Sequence, residues 1–232
     1  HRINLSLKPH GVLGLVGPSG AGKTTLVKII AGLEHPSHGR ATYAGEPISV
    51  KNRAQRKKIQ IIWQNAALHL NPYMRVQELI VETLKLFRAG EKKQHMGICL
   101  SLLGEVGLSS ALLKRRPHEL SGGQAQRLAI ARAMAAGPEL LICDEPFAGL
   151  DLLGQAEILN LLKKLHRKNQ LNLLIIAHDM RCIKSLCTEA AVLDQGEIIE
   201  QQEIDNLFRC PLKLLTKELL QASFILPFKM DL

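Results

Sequence analysis

The sequence predicts an α/β fold with a mostly parallel sheet, an antiparallel β element near the N-terminus and an inserted helical block. Three observations carry that expectation. Short apolar runs alternate with amphipathic stretches at both ends of the 232 residues, as parallel sheets with helical crossovers require. The turn Gly17-Pro18-Ser19-Gly20-Ala21-Gly22-Lys23-Thr24 joins an apolar run to a helical one. Between about residues 65 and 137 the strand signal disappears and helical periodicity replaces it.

In chain order, residues 3–7 and 12–16 read as strands around Lys8-Pro9-His10-Gly11. A helix is expected from about 22 to 31, ended by Gly32. Residues 41–44 and 58–64 are further strands, separated by a basic segment. Asn71-Pro72 and Gly137-Pro138 bracket the helical block. Within it, 76–88 and 97–106 have helical spacing, and Leu128, Ile130, Ala131 and Met134 form the packing side of a helix capped by Ser121. Sheet signals resume at 140–143 and 171–177, with helices at about 154–167 and up to 187. A hairpin follows over 190–200 with its turn at Gln195-Gly196. Helices at about 203–209 and 212–222 flank Pro211.

Composition narrows the function classes. Hydrophobic residues make up 46% and charged residues 22%, which excludes disorder and a coiled coil. No apolar run approaches the roughly 20 residues of a membrane helix, and no signal-peptide core opens the chain, so a soluble protein is expected. Five scattered cysteines without a CxxC pair suit a reducing compartment. Cys182 and Cys187 are read as packing residues, with a metal site the alternative.

The net charge of +9 gathers at Arg53, Arg56, Lys57 and Lys58, at Lys114, Arg115 and Arg116, and at Lys163, Lys164, Arg167 and Lys168. Solvated faces are the expected role, with an anionic membrane leaflet as the functional alternative. Aromatic residues amount to 3%, too few to interleave stacking platforms with the basic groups, so no nucleic acid is expected as a partner.

The chemistry begins at the glycine-rich turn, which has the form of a phosphate-binding P-loop. Its glycines let backbone N–H groups wrap phosphates, Lys23 reaches the β- and γ-phosphates, and the Thr24 hydroxyl ligates Mg²⁺. Thr25 completes the stretch. Asp144 ends a buried strand, where a carboxylate needs a cation. Glu145 beside it is the candidate general base for an attacking water. His178 ends another strand, at the carboxyl edge where α/β sheets present ligands. Gln64 ends a fourth and offers its amide to Mg²⁺ or water. A second helix start, Leu120-Ser121-Gly122-Gly123-Gln124, presents N–H groups and a positive dipole end but no lysine. It reads as half of a site completed by another copy of the fold.

These motifs, in this order over nearly the whole chain, resemble the nucleotide-binding subunit of an ATP-binding cassette (ABC) transporter. Walker A is residues 17–24, the Q-loop glutamine Gln64, the signature 120–124, Walker B 140–144 followed by Glu145, the D-loop aspartate Asp151 and the switch histidine His178. The resemblance implies a P-loop NTPase fold in a single domain: a RecA-like core of about 1–64 and 138–202, a helical insertion of about 65–137 and a helical tail of about 203–232. It implies an ATP- and Mg²⁺-dependent ATPase whose head-to-tail dimer places Ser121, Gly122, Gly123 and Gln124 on the ATP of the other subunit. It further implies coupling through Asp151, integral membrane permeases as partners, an extracytoplasmic solute-binding protein as an indirect one, and a peripheral place on the cytoplasmic face of the membrane.

Finer features are similar to the peptide/nickel branch of importers: Gln64-Asn65-Ala66-Ala67-Leu68-His69-Leu70-Asn71-Pro72, Pro117-His118-Glu119 before the signature, and 155–162. The tail departs from it, with Cys210-Pro211-Leu212-Lys213 where that branch has His-Pro-Tyr-Thr, although Thr216 is retained. Cys210 alone cannot support the iron–sulfur cluster of some relatives. The D-loop is Ala148-Gly149-Leu150-Asp151 where Ser-Ala-Leu-Asp is usual. The family stacks adenine on an aromatic well upstream of Walker A, expected to lie before His1, and Tyr43 reads as a strand packing residue. Alternative functions are a cassette of the phosphonate carbon–phosphorus lyase system and a non-transport cassette acting on nucleic acid.

Overall fold

The computed structural model describes residues 3–49 and 51–224; the last part of the expected 203–232 tail lies outside them. A six-stranded sheet runs in the order β4-β5-β6-β1-β7-β8. Its strands are β1 (Val12–Val16), β4 (Ile59–Ile62), β5 (Leu140–Asp144), β6 (Asn172–Ile176), β7 (Glu189–Asp194) and β8 (Glu197–Glu203). All neighbours pair parallel except β7 with β8. A two-stranded antiparallel sheet, β2 (Thr42–Tyr43) and β3 (Glu46–Pro47), stands apart.

The central strands are continuous apolar runs because both sheet faces are covered. Every residue of β1 and β5 is buried. Alternate residues serve opposite faces. Val12, Val16, Leu141, Cys143, Leu173 and Ile175 join the larger core, while Leu13, Leu15, Ile142, Leu174 and Ile176 join the smaller one. Helix α1 (Lys23–Ile30) lends Leu26 and Val27 to the smaller core. The larger is filled by α3 (Val76–Leu86), α4 (His95–Glu105), α5 (Gly122–Met134), α6 (Leu152–Asn169) and α7 (Met180–Leu186). Helices α3, α4 and α5 follow one another between β4 and β5.

One expectation needs correction. Residues 3–7 form no strand: Ile3, Leu5 and Leu7 pack on the smaller core in alternation, yet the segment has no ladder partner. Its period of two reports a face laid on the core, not a place at a sheet edge. The basic segment before β4 is a helix, α2 (Arg53–Lys58), started by Asn52, whose side chain accepts from the N–H groups of Ala54 and Gln55. The hairpin turn is as expected. Gln195 and Gly196 both have positive φ, 45° and 80°, as a two-residue turn between twisted strands demands.

The tail forms α8 (Ile204–Arg209) and α9 (Leu214–Phe224). Cys182 and Cys187 are buried packing residues, burial pushing the Cys182 thiol up to about 11. Among the described residues no group of three His, Cys, Asp or Glu side chains is placed to hold a metal. The basic clusters lie on exposed surface; Arg115 pairs with Glu119 at 2.8 Å and Lys168 pairs with Glu105. Such exposed pairs add little stability.

Candidate functional site

The carboxyl ends of four adjacent parallel strands, β4, β5, β6 and β1, lie along one edge of the sheet. Gln64 follows β4, Asp144 ends β5, His178 lies two residues beyond β6, and Gly17 follows β1. Parallel pairing therefore gathers four distant sequence positions into one row.

The loop after β1 is shaped by close approach. Gly17, Gly20 and Gly22 have φ of 153°, 80° and 103°. A Cβ on Gly17 would stand 2.1 Å from the carbonyl oxygen of Leu193, so only glycine fits there. The Gly196 N–H donates to the Ala21 carbonyl at 2.9 Å, tying the loop to the β7–β8 turn. Lys23, the first residue of α1, is buried and donates to the carbonyls of Gly17 at 2.8 Å and Pro18 at 2.9 Å. Burial lowers its pKa, against the pull of Glu145 and Asp144. Ser19, Thr24 and Thr25 are exposed at the mouth, while Ala21 is buried.

Opposite stand the two carboxylates. Asp144 is buried, which raises its pKa against the attraction of Lys23 and His178. Glu145 occupies the left-handed region at φ 49°, a costly conformation for a residue with a side chain. Its N–H donates to Ile176 at 2.9 Å, pinning it to the end of β6. Burial pushes its carboxyl up to about 7, opposed by the His178 N–H, with Asp144 adding to the rise and Lys23 opposing it. The His178 Nε2 lies 2.9 Å from Glu145 Oε1 but without hydrogen-bond alignment, leaving that oxygen buried and unpartnered. Burial and the Lys23 charge hold His178 below the usual imidazole range.

This chemistry fits a nucleotide phosphate with a divalent cation. A strained glycine loop and a buried ammonium face the buried carboxylate of Asp144 and the part-buried one of Glu145, whose Oε1 has no hydrogen bond, and such groups are stabilised by a cation and an anion held between them. Thr24, Asp144 and Gln64 carry oxygen donors of the hard kind that suits Mg²⁺.

The signature residues stand at the start of α5. Ser121 caps α5: its Oγ accepts from the Gln124 N–H at 3.3 Å, and Gln124 Oε1 accepts from the Ser121 N–H at 3.1 Å. Ser121 and Gly122 are exposed, and a Cβ on Gly123 would meet nothing within 4 Å. Asp151 caps α6, accepting from the Gly154 N–H at 2.7 Å, and the neighbouring Leu150 borders Gly122. Tyr43 packs on the smaller core and its hydroxyl donates to Glu139, a strand packing role. The sequence reading missed Asp179, which caps α7 beside His178 through the Arg181 N–H at 2.8 Å; an aspartate just before a helical run was the available signal.

The comparisons agree with this geometry. The family model described as ABC transporter matches residues 1–148. The nickel import ATP-binding protein NikE of Shigella dysenteriae serotype 1 is 38% identical over 210 residues, covering 89% of this chain and 78% of that protein. The Escherichia coli K12 protein of the same name is 38% identical over 208 residues, covering 88% and 78%. The dimeric post-hydrolysis state of the ATP-binding cassette MJ0796, bound to ADP and Pi, superposes with a TM-score of 0.77 at 27% identity, covering 87% of this chain and 89% of that one. The structure of cbiO1 from Clostridium perfringens, part of the ABC transporter complex cbiONQ, gives 0.80 at 28% identity, covering 89% and 82%. A glycine-wrapped phosphate loop set beside a buried Asp-Glu pair, on a chain with these relatives, makes this an ATP-hydrolysing enzyme of the ABC transporter family.

Proposed function

We propose that the chain drives a membrane importer for nickel or a nickel chelate, as one half of an ATP-sandwich dimer. The observation that carries the mechanism is the row of strand ends bearing Lys23, Asp144, Glu145 and His178. Nickel is favoured over peptides because the 38% identical relatives are nickel import ATP-binding proteins.

In this reading the N–H groups of Gly17, Ser19, Gly20, Ala21 and Gly22 cradle the phosphates, Pro18 shapes the loop between them, and Lys23 exchanges its two carbonyl partners for phosphate oxygens. Thr25 borders the same phosphates. Thr24, Asp144 and Gln64 hold Mg²⁺, which supplies charge neutralisation of the phosphoryl oxygens when bound. Glu145 accepts the proton of the attacking water, so that the water oxygen bonds to the γ-phosphorus as the bond to ADP breaks. A carboxyl near neutrality, with an unpartnered oxygen, suits that task. His178 orients the γ-phosphate beside it.

Ser121, Gly122, Gly123 and Gln124 of the second subunit close over the same ATP, and Asp151 links the two sites. Leu152 and Leu153, 77% and 70% exposed at the start of α6 just after its cap Asp151, are apolar surface suited to a subunit contact. Leu68 and Tyr73, 80% and 82% exposed after Gln64, offer similar surface to permease subunits, beside a cleft of about 230 Å³ lined by Trp63, His69, Phe87 and Arg132. Among the described residues no helix is long and apolar enough to cross a membrane, consistent with peripheral attachment at the cytoplasmic face. A solute-binding protein would present the cargo from the other side.

The test is reconstitution with the membrane permease subunits that co-purify with the chain. ATP-dependent accumulation of ⁶³Ni²⁺ in vesicles, lost with Glu145→Gln, is expected. Uptake of a labelled dipeptide without nickel uptake would replace the cargo, and binding to permeases without any uptake would overturn the importer reading.

A further inference from the structure

The C-terminal tail is fastened first to the sheet, at Glu200, and then to Met180, two residues beyond the histidine at the site. Glu200, on β8, is 6% exposed. Its carboxylate accepts from the N–H groups of Leu212 at 2.8 Å and Lys213 at 3.0 Å, and from the hydroxyl of Thr216 at 2.5 Å. These donors sit at the start of α9, so a strand supplies the anionic cap that the helix itself lacks. Burial pushes the carboxyl up, but the bonds from Leu212, Thr216, Lys213 and Gln202 outweigh it and hold the group below the ordinary range, charged at neutral pH.

At the far end of α9, Ser223 Oγ donates to the Leu219 carbonyl at 3.0 Å and accepts from the Met180 N–H at 3.3 Å. Met180 is fully buried and is the first residue of α7, where N–H groups have no partner within the helix. The start of α7 is thus held twice, by its own Asp179 and by Ser223 from the tail. His178 is the residue just before that cap.

We propose that Glu200 and Ser223 are positioning residues for ATP hydrolysis: α9, locked to β8 by Glu200, fixes the start of α7 through Ser223 and thereby sets His178 against Glu145. The inference rests on the reading of His178 as a γ-phosphate contact. It gives the tail a task at the site in place of a merely packed appendage.

The experiment is steady-state ATP hydrolysis by the full chain, with kcat and KM for ATP measured in His178→Ala, Ser223→Ala, Ser223→Thr and Glu200→Gln. His178→Ala should lower kcat by about 10²-fold or more. Ser223→Ala should lower kcat by about 3- to 10-fold with KM for ATP nearly unchanged, since a displaced group costs rate before it costs binding. Ser223→Thr, which keeps the hydroxyl, should restore kcat, and Glu200→Gln should fall in the same direction as Ser223→Ala. Thermal melting of Ser223→Ala close to that of the parent chain separates positioning from unfolding. A deficient His178→Ala beside an unaffected Ser223→Ala, or a Thr variant that fails to rescue, overturns the proposal alone. An unaffected His178→Ala overturns the histidine's role and the proposal with it.

Discussion

At the start of α1, three glycines take positive φ, a Cβ on Gly17 would strike the Leu193 carbonyl at 2.1 Å, and a buried lysine folds across the loop. At the start of α5, Gly122 and Gly123 have negative φ and room for a methyl group, and Ser121 and Gln124 cap each other at the surface. Both are glycine-rich helix N-termini, and both offer N–H groups to an anion. The first needs glycine to exist at all, whereas the second has no need of it within one chain. Glycine at an unstrained surface position is explained by what must approach from outside, and in the dimer we propose the approach is that of a phosphate held by another subunit.

The largest effect that sharpens this contrast lies beside the first helix start. Glu145→Gln should cut turnover by roughly 10² to 10⁴ while ATP binding persists, and near-normal steady-state hydrolysis would remove Glu145 from the role of base. Next comes Gly123→Ala. It should melt as the parent chain does, since its Cβ meets nothing within 4 Å, yet lose ATP-driven dimerisation and at least about tenfold in turnover. Unchanged sedimentation of the ATP-bound Gly123→Ala dimer would break the comparison.

Gly17→Ala should do the reverse, lowering unfolding stability by about 1–3 kcal/mol through backbone strain, with a visibly lower melting temperature before any nucleotide is added. The smallest effect concerns charge. Glu145 has its carboxyl raised from the ordinary value to about 7, so its ionisation costs the folded state above that pH. Both states are neutral below the ordinary carboxylate value, where the cost vanishes. Nucleotide-free Glu145→Gln should therefore be more stable than the parent chain at pH 8, by roughly 1–3 kcal/mol, with the gap closing as pH falls from about 7 towards the ordinary glutamate value. A gap that widened in acid would contradict the burial argument.

Much of the site was legible because each of its parts is announced locally. An apolar run followed by Gly17 to Thr24, by Asp144-Glu145 or by His178 names a strand end, and parallel order places such ends together. What escaped was set at long range. Residues 3–7 alternate as a strand does, but pairing depends on a neighbour that sequence periodicity cannot supply. Helix α2 hid in a run of basic residues whose charge drew attention from Asn52, its cap. Glu200 looked like one more polar residue on a hairpin, because its partners at Leu212, Lys213 and Thr216 become neighbours only after the tail folds back. Ser223 and Met180, 43 residues apart, were invisible for the same reason.

If one ATP is held by Lys23 of one subunit and Ser121 of the other, mixing two inactive variants should restore activity. Lys23→Ala and Ser121→Arg each spoil both sites of their own homodimer. A mixed head-to-tail dimer concentrates both lesions in one site and leaves the other whole, so an equimolar mixture should recover about a quarter of the parent turnover. A mixture as inactive as its components would contradict the shared site.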